Sequence, residues 1–340
     1  MTVVNSRLGR TKIRCAALAE TGFTAGIAMS VALSAHAQYP ERADRVERVV
    51  RAIVPFSTGG TNDITARLIA PHLGKLLGQQ VVVENRPGAA GNVGIEAVAK
   101  SAPDGHTLLF SATASTQNPA LFRKLRFDPI NDIQPVAAIA EYPYAIMVNA
   151  HLPVKSVREL IQLAQKNPAS LNASAGGIGT RLSVELFKIR NNIRIEVITY
   201  SGTGAAALAV ATGETQLAIM DATPYQPFFS SGRVRMLAVA SDRRIASYPN
   251  VPTTAEAGLP GLRAGATAAV YVTAKTPTGT LRALHTAINT VVALPDIREQ
   301  IHKQGGTSEA FSISELTQWY RREIRTWKDI VARAKIPPVD

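Results

Sequence analysis

The run Val54-Pro55-Phe56-Ser57-Thr58-Gly59-Gly60-Thr61-Asn62-Asp63 gathers small polar side chains around two adjacent glycines. Glycines let the backbone turn tightly and come close to a ligand. Ser57, Thr58 and Thr61 add hydroxyls. Where such a turn opens a helix, the first N–H groups lack intrahelical partners and sit at the positive end of the helix dipole. The chemistry on offer is the binding of a carboxylate or phosphate. The same residue types also serve as plain helix caps. Binding is favoured because similar loops recur at 85–92, 175–180 and 200–204.

These loops need elements to hold them. The apolar run 49–54 reads as a buried strand, and Ile64, Ala66, Leu68, Ile69, Leu73, Leu76 and Leu77 are spaced for one face of a helix over 63–77. Gly78 is placed to end it. Strands at 81–83 and 107–110, with a helix at 93–101 between them, continue the alternation. That pattern predicts an α/β unit with a largely parallel sheet, whose ligands sit beyond the carboxyl ends of the strands. The apolar segment 136–148, interrupted by Glu141 and Pro143, reads as two strand pieces with a crossing between domains. A second α/β unit follows. It has a helix at 156–166 with Ser156 and Glu159 at capping-box spacing, strands at 171–174, 195–200, 217–221 and 234–240, and helices at 181–190, 205–212 and 224–231. A strand at 268–274 returns, and helices at 278–293, 295–304 and 313–334 finish the chain. Two lobes joined by extended segments, each with Gly/Ser/Thr loops at strand ends, form a cleft able to close by a hinge.

The first 37 residues read as a removable leader. Arg7, Arg10, Lys12 and Arg14 precede a small apolar stretch at 21–35, and Ala35-His36-Ala37 has the A-x-A form of a cleavage site. Cys15, the chain's single cysteine, falls inside the leader. Its removal leaves no disulfide, thiol nucleophile or cysteine metal site. The chain carries +12. Without the leader it keeps 33 basic and 24 acidic residues, a formal +9. The basic residues are scattered, and the densest group (Arg321, Arg322, Arg325, Lys328) shares its helix with Glu323 and Asp329. An anionic small ligand or membrane surface suits that distribution better than nucleic acid.

One motif points elsewhere. Gly202-Thr203-Gly204-Ala205-Ala206-Ala207 fits G-x-G-x-x-A, and Asp221 lies close to the acidic position of a dinucleotide site. The stretch before Gly213 leaves only a small helix, however, and an exported protein has little access to nicotinamide cofactors. Neither G-x-S-x-G nor H-E-x-x-H occurs. His72, His106, His151, His285 and His302 are isolated, and Ser57 or Ser201 would need a base that the sequence does not reveal. No cofactor, metal or catalytic residue is expected; the inventory is one for binding.

Several blocks then carry a resemblance over about 39–337. They are 54–63 with Ala66-Arg67-Leu68, the run Val82-Val83-Glu84-Asn85-Arg86-Pro87-Gly88-Ala89-Ala90-Gly91-Asn92-Val93-Gly94, Pro103-Asp104-Gly105-His106-Thr107, Asn118-Pro119-Ala120-Leu121, and Val251-Pro252-Thr253-Thr254-Ala255-Glu256-Ala257-Gly258-Leu259-Pro260-Gly261. Together they resemble the extracytoplasmic receptors of tripartite tricarboxylate transporters, the Bug proteins. The resemblance implies a two-lobed periplasmic binding fold, type II-like. Its domains would be 38–143 with 270–340, and 144–269, following a signal peptide at 1–37. It implies a periplasmic monomer that closes on a small organic carboxylate and delivers it to membrane permease subunits, without nucleic acid. A ligand sensor for a membrane signalling protein and an exported carboxylate enzyme remain the alternatives.

Carried onto this chain, the resemblance places the ligand among Phe56, Ser57, Gly59, Gly60, Thr61 and Asp63, with Thr113 and Ser115 in the adjacent loop. Gly177, Gly179, Thr180, Tyr200, Gly202 and Asp221 would face them from the other lobe. The chain departs from the family at the 176–181 loop, which is about two residues short, with Arg181 where a histidine is usual. Ser201 replaces a common lysine and Thr58 a common proline. Arg181 is either a carboxylate clamp or a surface arginine.

Overall fold

The computed structural model describes residues 49–339 apart from 169, 309, 334 and 335. The expected leader, its cleavage motif and most of the polar segment after it lie outside the described residues. The order is β1 (Val50–Val54), α1 (Thr61–Leu77), β2 (Val81–Asn85), α2 (Asn92–Ala99), β3 (Thr107–Ser111), α3 (Ala114–Leu121), β4 (Ile133–Asn149), α4 (Val157–Lys166), β5 (Asn172–Ala175), α5 (Ile178–Asn191), β6 (Glu196–Thr199), α6 (Thr203–Thr212), β7 (Leu217–Asp221), α7 (Gln226–Ser230), β8 (Val234–Val239), β9 (Gly265–Thr273), α8 (Thr278–Val292), α9 (Pro295–Lys303) and α10 (Ile313–Arg333).

Local chemistry accounts for the helix ends. Gly78 closes α1 in the left-handed conformation, φ 63°, with its N–H on the Gly74 carbonyl. Ser156 Oγ accepts the Glu159 N–H at 3.2 Å at the start of α4, and Ser312 and Glu315 form a reciprocal capping box for α10.

β1 pairs in parallel with β2 and β3, and β3 pairs antiparallel with β9. β9 in turn pairs with β4 from Ile133 to Pro143. β4 then changes partners: from Tyr144 onward it pairs with β7 and β8, and β7 leads in parallel to β5 and β6. The segment expected as two strand pieces is therefore one strand of 17 residues. Pro143 has no N–H for a ladder, and it stands where β4 leaves one partner for the next.

Helices cover both faces of each half. In the first half, Ile69 and Leu73 of α1 pack with Ile288 and Val291 of α8 and Ile297 and Ile301 of α9 on one side. Ile95 and Val98 of α2 pack with Tyr320 and Ile324 of α10 on the other. In the second half, Leu160 of α4 and Phe187 of α5 cover one face, and Ala206, Ala207 and Val210 of α6 cover the opposite one. Full burial of each Leu or Ile stabilises by about 1.5–3 kcal/mol.

Sequence reasoning placed Thr113 and Ser115 in a loop and missed α3. Ser115, Thr116, Gln117 and Asn118 are polar yet buried, so α3 shows no apolar stripe, and Pro119 lies inside it. Pro119 cannot donate to the Ser115 carbonyl one turn back. The Tyr320 hydroxyl of α10 lies 3.2 Å from that carbonyl and 2.7 Å from the carbonyl of Pro129. The helix expected at 224–231 is a 3-10 turn, Thr223–Tyr225, followed by the short α7.

Candidate functional site

Three strand–turn–helix joints meet where β4 changes partners. Their helices, α1, α5 and α6, begin after Gly60, Gly177 and Gly202, and none of these N-caps has a side chain to hydrogen-bond the first turn. The joints surround a cavity of about 440 Å³, open mouth included, lined by Phe56, Ser57, Gly60, Thr61, Asn62, Asp63, Ala112, Thr113, Tyr144, Gly176, Gly177, Thr180, Thr203, Asp221 and Ala266. Among the described residues no Lys, Arg or His lines it, and no group of three or more His, Cys, Asp or Glu is placed to hold a metal.

The two sides touch through polar contacts. Ser57 N–H donates to the Ser201 carbonyl at 3.2 Å. Thr61 N–H donates to Thr203 Oγ1 at 3.2 Å, and the Thr61 hydroxyl to Asp221 Oδ1 at 2.6 Å. Glycines permit this approach. A Cβ on Gly204 would lie 2.7 Å from the Gly59 carbonyl carbon, and one on Gly60 would lie 2.8 Å from Thr203 Oγ1. The G-x-G of 202–204 thus serves contact between the two sides. Phe56 is wedged between two helix starts, since a Cβ on Gly177 or on Gly91 would meet its ring at 3.4 Å and 3.1 Å.

The two lining carboxylates have different environments. Asp63 accepts from Gly59 N–H, Arg67 Nε and Asn85 Nδ2, each at 3.0 Å. Burial opposes its charge, but these hydrogen bonds outweigh burial and hold the carboxyl below its ordinary pKa. Asp63 therefore fixes the shape of the first loop. Asp221, 2% exposed, accepts on Oδ1 from Thr61 and from Thr223 N–H at 3.1 Å. Burial dominates there and raises its pKa. Ser57 Oγ, Asn62 Oδ1 and Gln117 Oε1 are buried without a hydrogen-bond partner, a costly state unless something fills it.

Of the residues named from sequence, Phe56, Ser57, Gly60, Thr61, Asp63, Thr113, Gly177, Thr180 and Asp221 line the cavity. Gly59 and Gly202 sit just behind the lining, against Gly204 and Ser57. Gly179 packs where a Cβ would meet Gln117 Oε1, Thr113 Oγ1 and the Tyr144 hydroxyl. Three more residues also lie outside the lining set. Ser115 is buried beneath Tyr320. The Tyr200 hydroxyl bonds Glu214 at 2.8 Å on the far side of its loop. Arg181 is half-buried on α5. Sequence reasoning missed Asn62, Ala112, Tyr144, Gly176, Thr203 and Ala266. Most of these adjoin the quoted loops. Tyr144 and Ala266 come from the crossing strands, and only the position of Tyr144 just after Pro143 could have marked it.

The description "tripartite tricarboxylate transporter family receptor" matches residues 65–336. Protein BugT of Bordetella pertussis is 31% identical over 312 residues, covering 91% of this chain and 93% of that protein. Among solved structures, a Rhodopseudomonas palustris protein with adipate is 31% identical, with a TM-score of 0.82 and 85% and 98% of the two chains covered. MatC of the same organism, with bound malate, is 30% identical, with a TM-score of 0.79 over 83% and 98% of the chains.

Proposed function

Because the chain belongs to the tripartite tricarboxylate transporter receptor family, we propose that it captures a small organic carboxylate in the cavity between its two lobes and delivers it to membrane permease subunits from the periplasm. It is a solute-binding receptor and not an enzyme. One observation carries the ligand class: three helix N-termini without side-chain caps converge on a cation-free cavity whose wall holds unpartnered polar atoms. Each partly buried helix end favours an anion by up to ~2 kcal/mol, so three of them can replace a salt-bridging arginine. Adipate and malate, bound by relatives of about 30% identity, support that class.

In this reading β4 and β9 are the connections that flex. We place the crossings at Pro143–Tyr144 and at Ala264–Gly265, where pairing passes from one half-sheet to the other. The Thr61–Asp221 and Ser57–Ser201 contacts belong to the closed form. Solution scattering of the leader-free protein, titrated with small mono- and dicarboxylates, tests this. The expected result is a ligand-dependent fall in the radius of gyration, with a thermal shift that grows with the logarithm of ligand concentration. Neither effect with any carboxylate would overturn the proposal.

A further inference from the structure

Resting on that reading, we infer that Asp221 is a proton site inside the cavity: when the lobes close on a carboxylate, Asp221 takes up a proton from solution, so that the anion and one proton are captured together. The ionised form of Asp221 belongs to the open protein and the neutral acid to the closed, loaded one.

Asp221 ends β7 and lines the cavity, yet is only 2% exposed. Part of that enclosure comes from across the cleft, where the Thr61 hydroxyl donates to Oδ1 at 2.6 Å. Thr223 N–H donates to the same oxygen at 3.1 Å, which leaves Oδ2 to carry a proton. The groups around Asp221 offer it no full positive charge. β4 brings the phenols of Tyr142 and Tyr144, and the turn after β7 brings that of Tyr225; burial and the nearby Asp221 keep all three neutral. Besides Thr61, α1 brings the Asp63 carboxylate to the cavity wall, and Arg67 and Asn85 are bonded to Asp63. α5 and α6 bring the hydroxyls of Thr180 and Thr203, and β9 brings Ala266. Among the described residues no ion pair includes Asp221, and no Lys, Arg or His lines its cavity. Burial therefore outweighs the two hydrogen bonds and raises the pKa of Asp221. A bound carboxylate adds to the effect. The positive ends of α1, α5 and α6 open on this one cavity. Once an anion occupies them, an ionised Asp221 is a further negative charge in the same enclosed space. Protonation turns that repulsion into a hydrogen-bond donor. In the open protein Thr61 leaves Asp221 and water reaches it, so its pKa returns toward the ordinary Asp value of about 3.9. The stabilisation of the loaded form is then fully present below the open-form pKa and is lost as the pH rises through the higher closed-form one.

The test is calorimetric titration of the leader-free protein with malate, succinate, adipate and acetate between about pH 6.5 and about pH 8, a range in which the acids themselves stay ionised. Each titration is run in phosphate and in Tris buffer, whose ionisation heats differ, so the difference in binding heat counts the protons taken up. The wild type is expected to take up about half a proton or more per bound acid at about pH 6.5, with a dissociation constant that rises about twofold or more by about pH 8. Asp221→Asn keeps an acceptor for Thr61 and Thr223 but cannot titrate. In that variant the uptake should vanish and the dissociation constant should no longer depend on pH. Thr61→Val removes a donor that favours the ionised form, so the uptake should extend to higher pH than in the wild type. Binding without proton uptake overturns this inference and leaves the receptor reading intact, as does uptake that is unchanged in Asp221→Asn. If Asp221→Asn does not fold, Thr61→Val decides, and uptake that does not extend to higher pH overturns the inference. Binding of none of the acids overturns both readings.

Discussion

Gly204→Ala separates closure from folding. Gly204 is the second residue of α6 and its φ is not in the left-handed region, so alanine fits the local backbone. On the unfolded-state argument the change stabilises the chain by about 0.4–1 kcal/mol. Across the cleft the added Cβ would stand 2.7 Å from the Gly59 carbonyl carbon and 2.9 Å from the carbonyl oxygens of Gly59 and Thr58. These are backbone atoms in a loop held by Asp63, so the clash cannot be relieved by turning a side chain. Overpacking of this kind costs about 1–3 kcal/mol, a loss of roughly 5- to 150-fold in affinity if closure is coupled to binding. The assay pairs calorimetry, using whichever carboxylate shifts the wild type, with thermal unfolding of the ligand-free protein. The variant should unfold at or above the wild-type temperature while binding more weakly and compacting less in solution scattering. Wild-type affinity with full compaction would refute the reasoning, because it would mean that the Gly59–Gly204 contact is not needed to hold the ligand.

Two further changes probe individual side chains. Asp63→Asn removes a carboxylate whose hydrogen bonds to Gly59, Arg67 and Asn85 hold its pKa low. That stabilisation is fully present above the unfolded Asp value of about 3.9 and is lost as the pH falls through the lower folded value. The variant should therefore lose about 1.5–3 kcal/mol at neutral pH, the scale of charged hydrogen bonds, and the difference from wild type should shrink below about pH 4; chemical denaturation at several pH values checks both. Arg181 lies outside the cavity lining, so Arg181→Ala is expected to change the dissociation constant by no more than about threefold, as for a solvent-screened charge that makes no contact in the site. A loss of tenfold or more in calorimetry would restore its role as a clamp.

The parts of the site legible in the sequence are those whose chemistry is local. A buried strand, a glycine turn and an amphipathic helix announce themselves within about twenty residues, and three such joints, at Gly60, Gly177 and Gly202, are readable in the sequence. What was not legible depends on partners distant in the chain. The interruption at Glu141 and Pro143 suggested two strands because nothing local says that β4 exchanges β9 for β7 there. α3 looked like loop because its buried face is polar and Pro119 interrupts its hydrogen-bond ladder; the hydroxyl that meets the freed carbonyl comes from Tyr320, far along the chain. Tyr144 reaches the cavity for the same reason: its place is set by the crossing of β4 between the half-sheets.

On the proposed reading, the lining accounts for anion binding by an overall basic chain without a cation in its pocket. Lysines or arginines facing each other across a cleft would repel one another when no ligand is present. Helix ends supply fractional positive charge at fixed positions and lose no side-chain entropy when a ligand arrives. Glycine N-caps make this possible twice over. They bring no side chain of their own to the first-turn N–H groups, and they allow one backbone to approach another across the cleft. Asp221 lines the same cavity, and the hydrogen bond it accepts from Thr61 spans the two sides. The contact that helps to close the cleft is thus made by a residue of the cavity wall. Ligand capture and the Thr61–Asp221 contact are both made in the closed form, so affinity and compaction should rise and fall together across a series of acids.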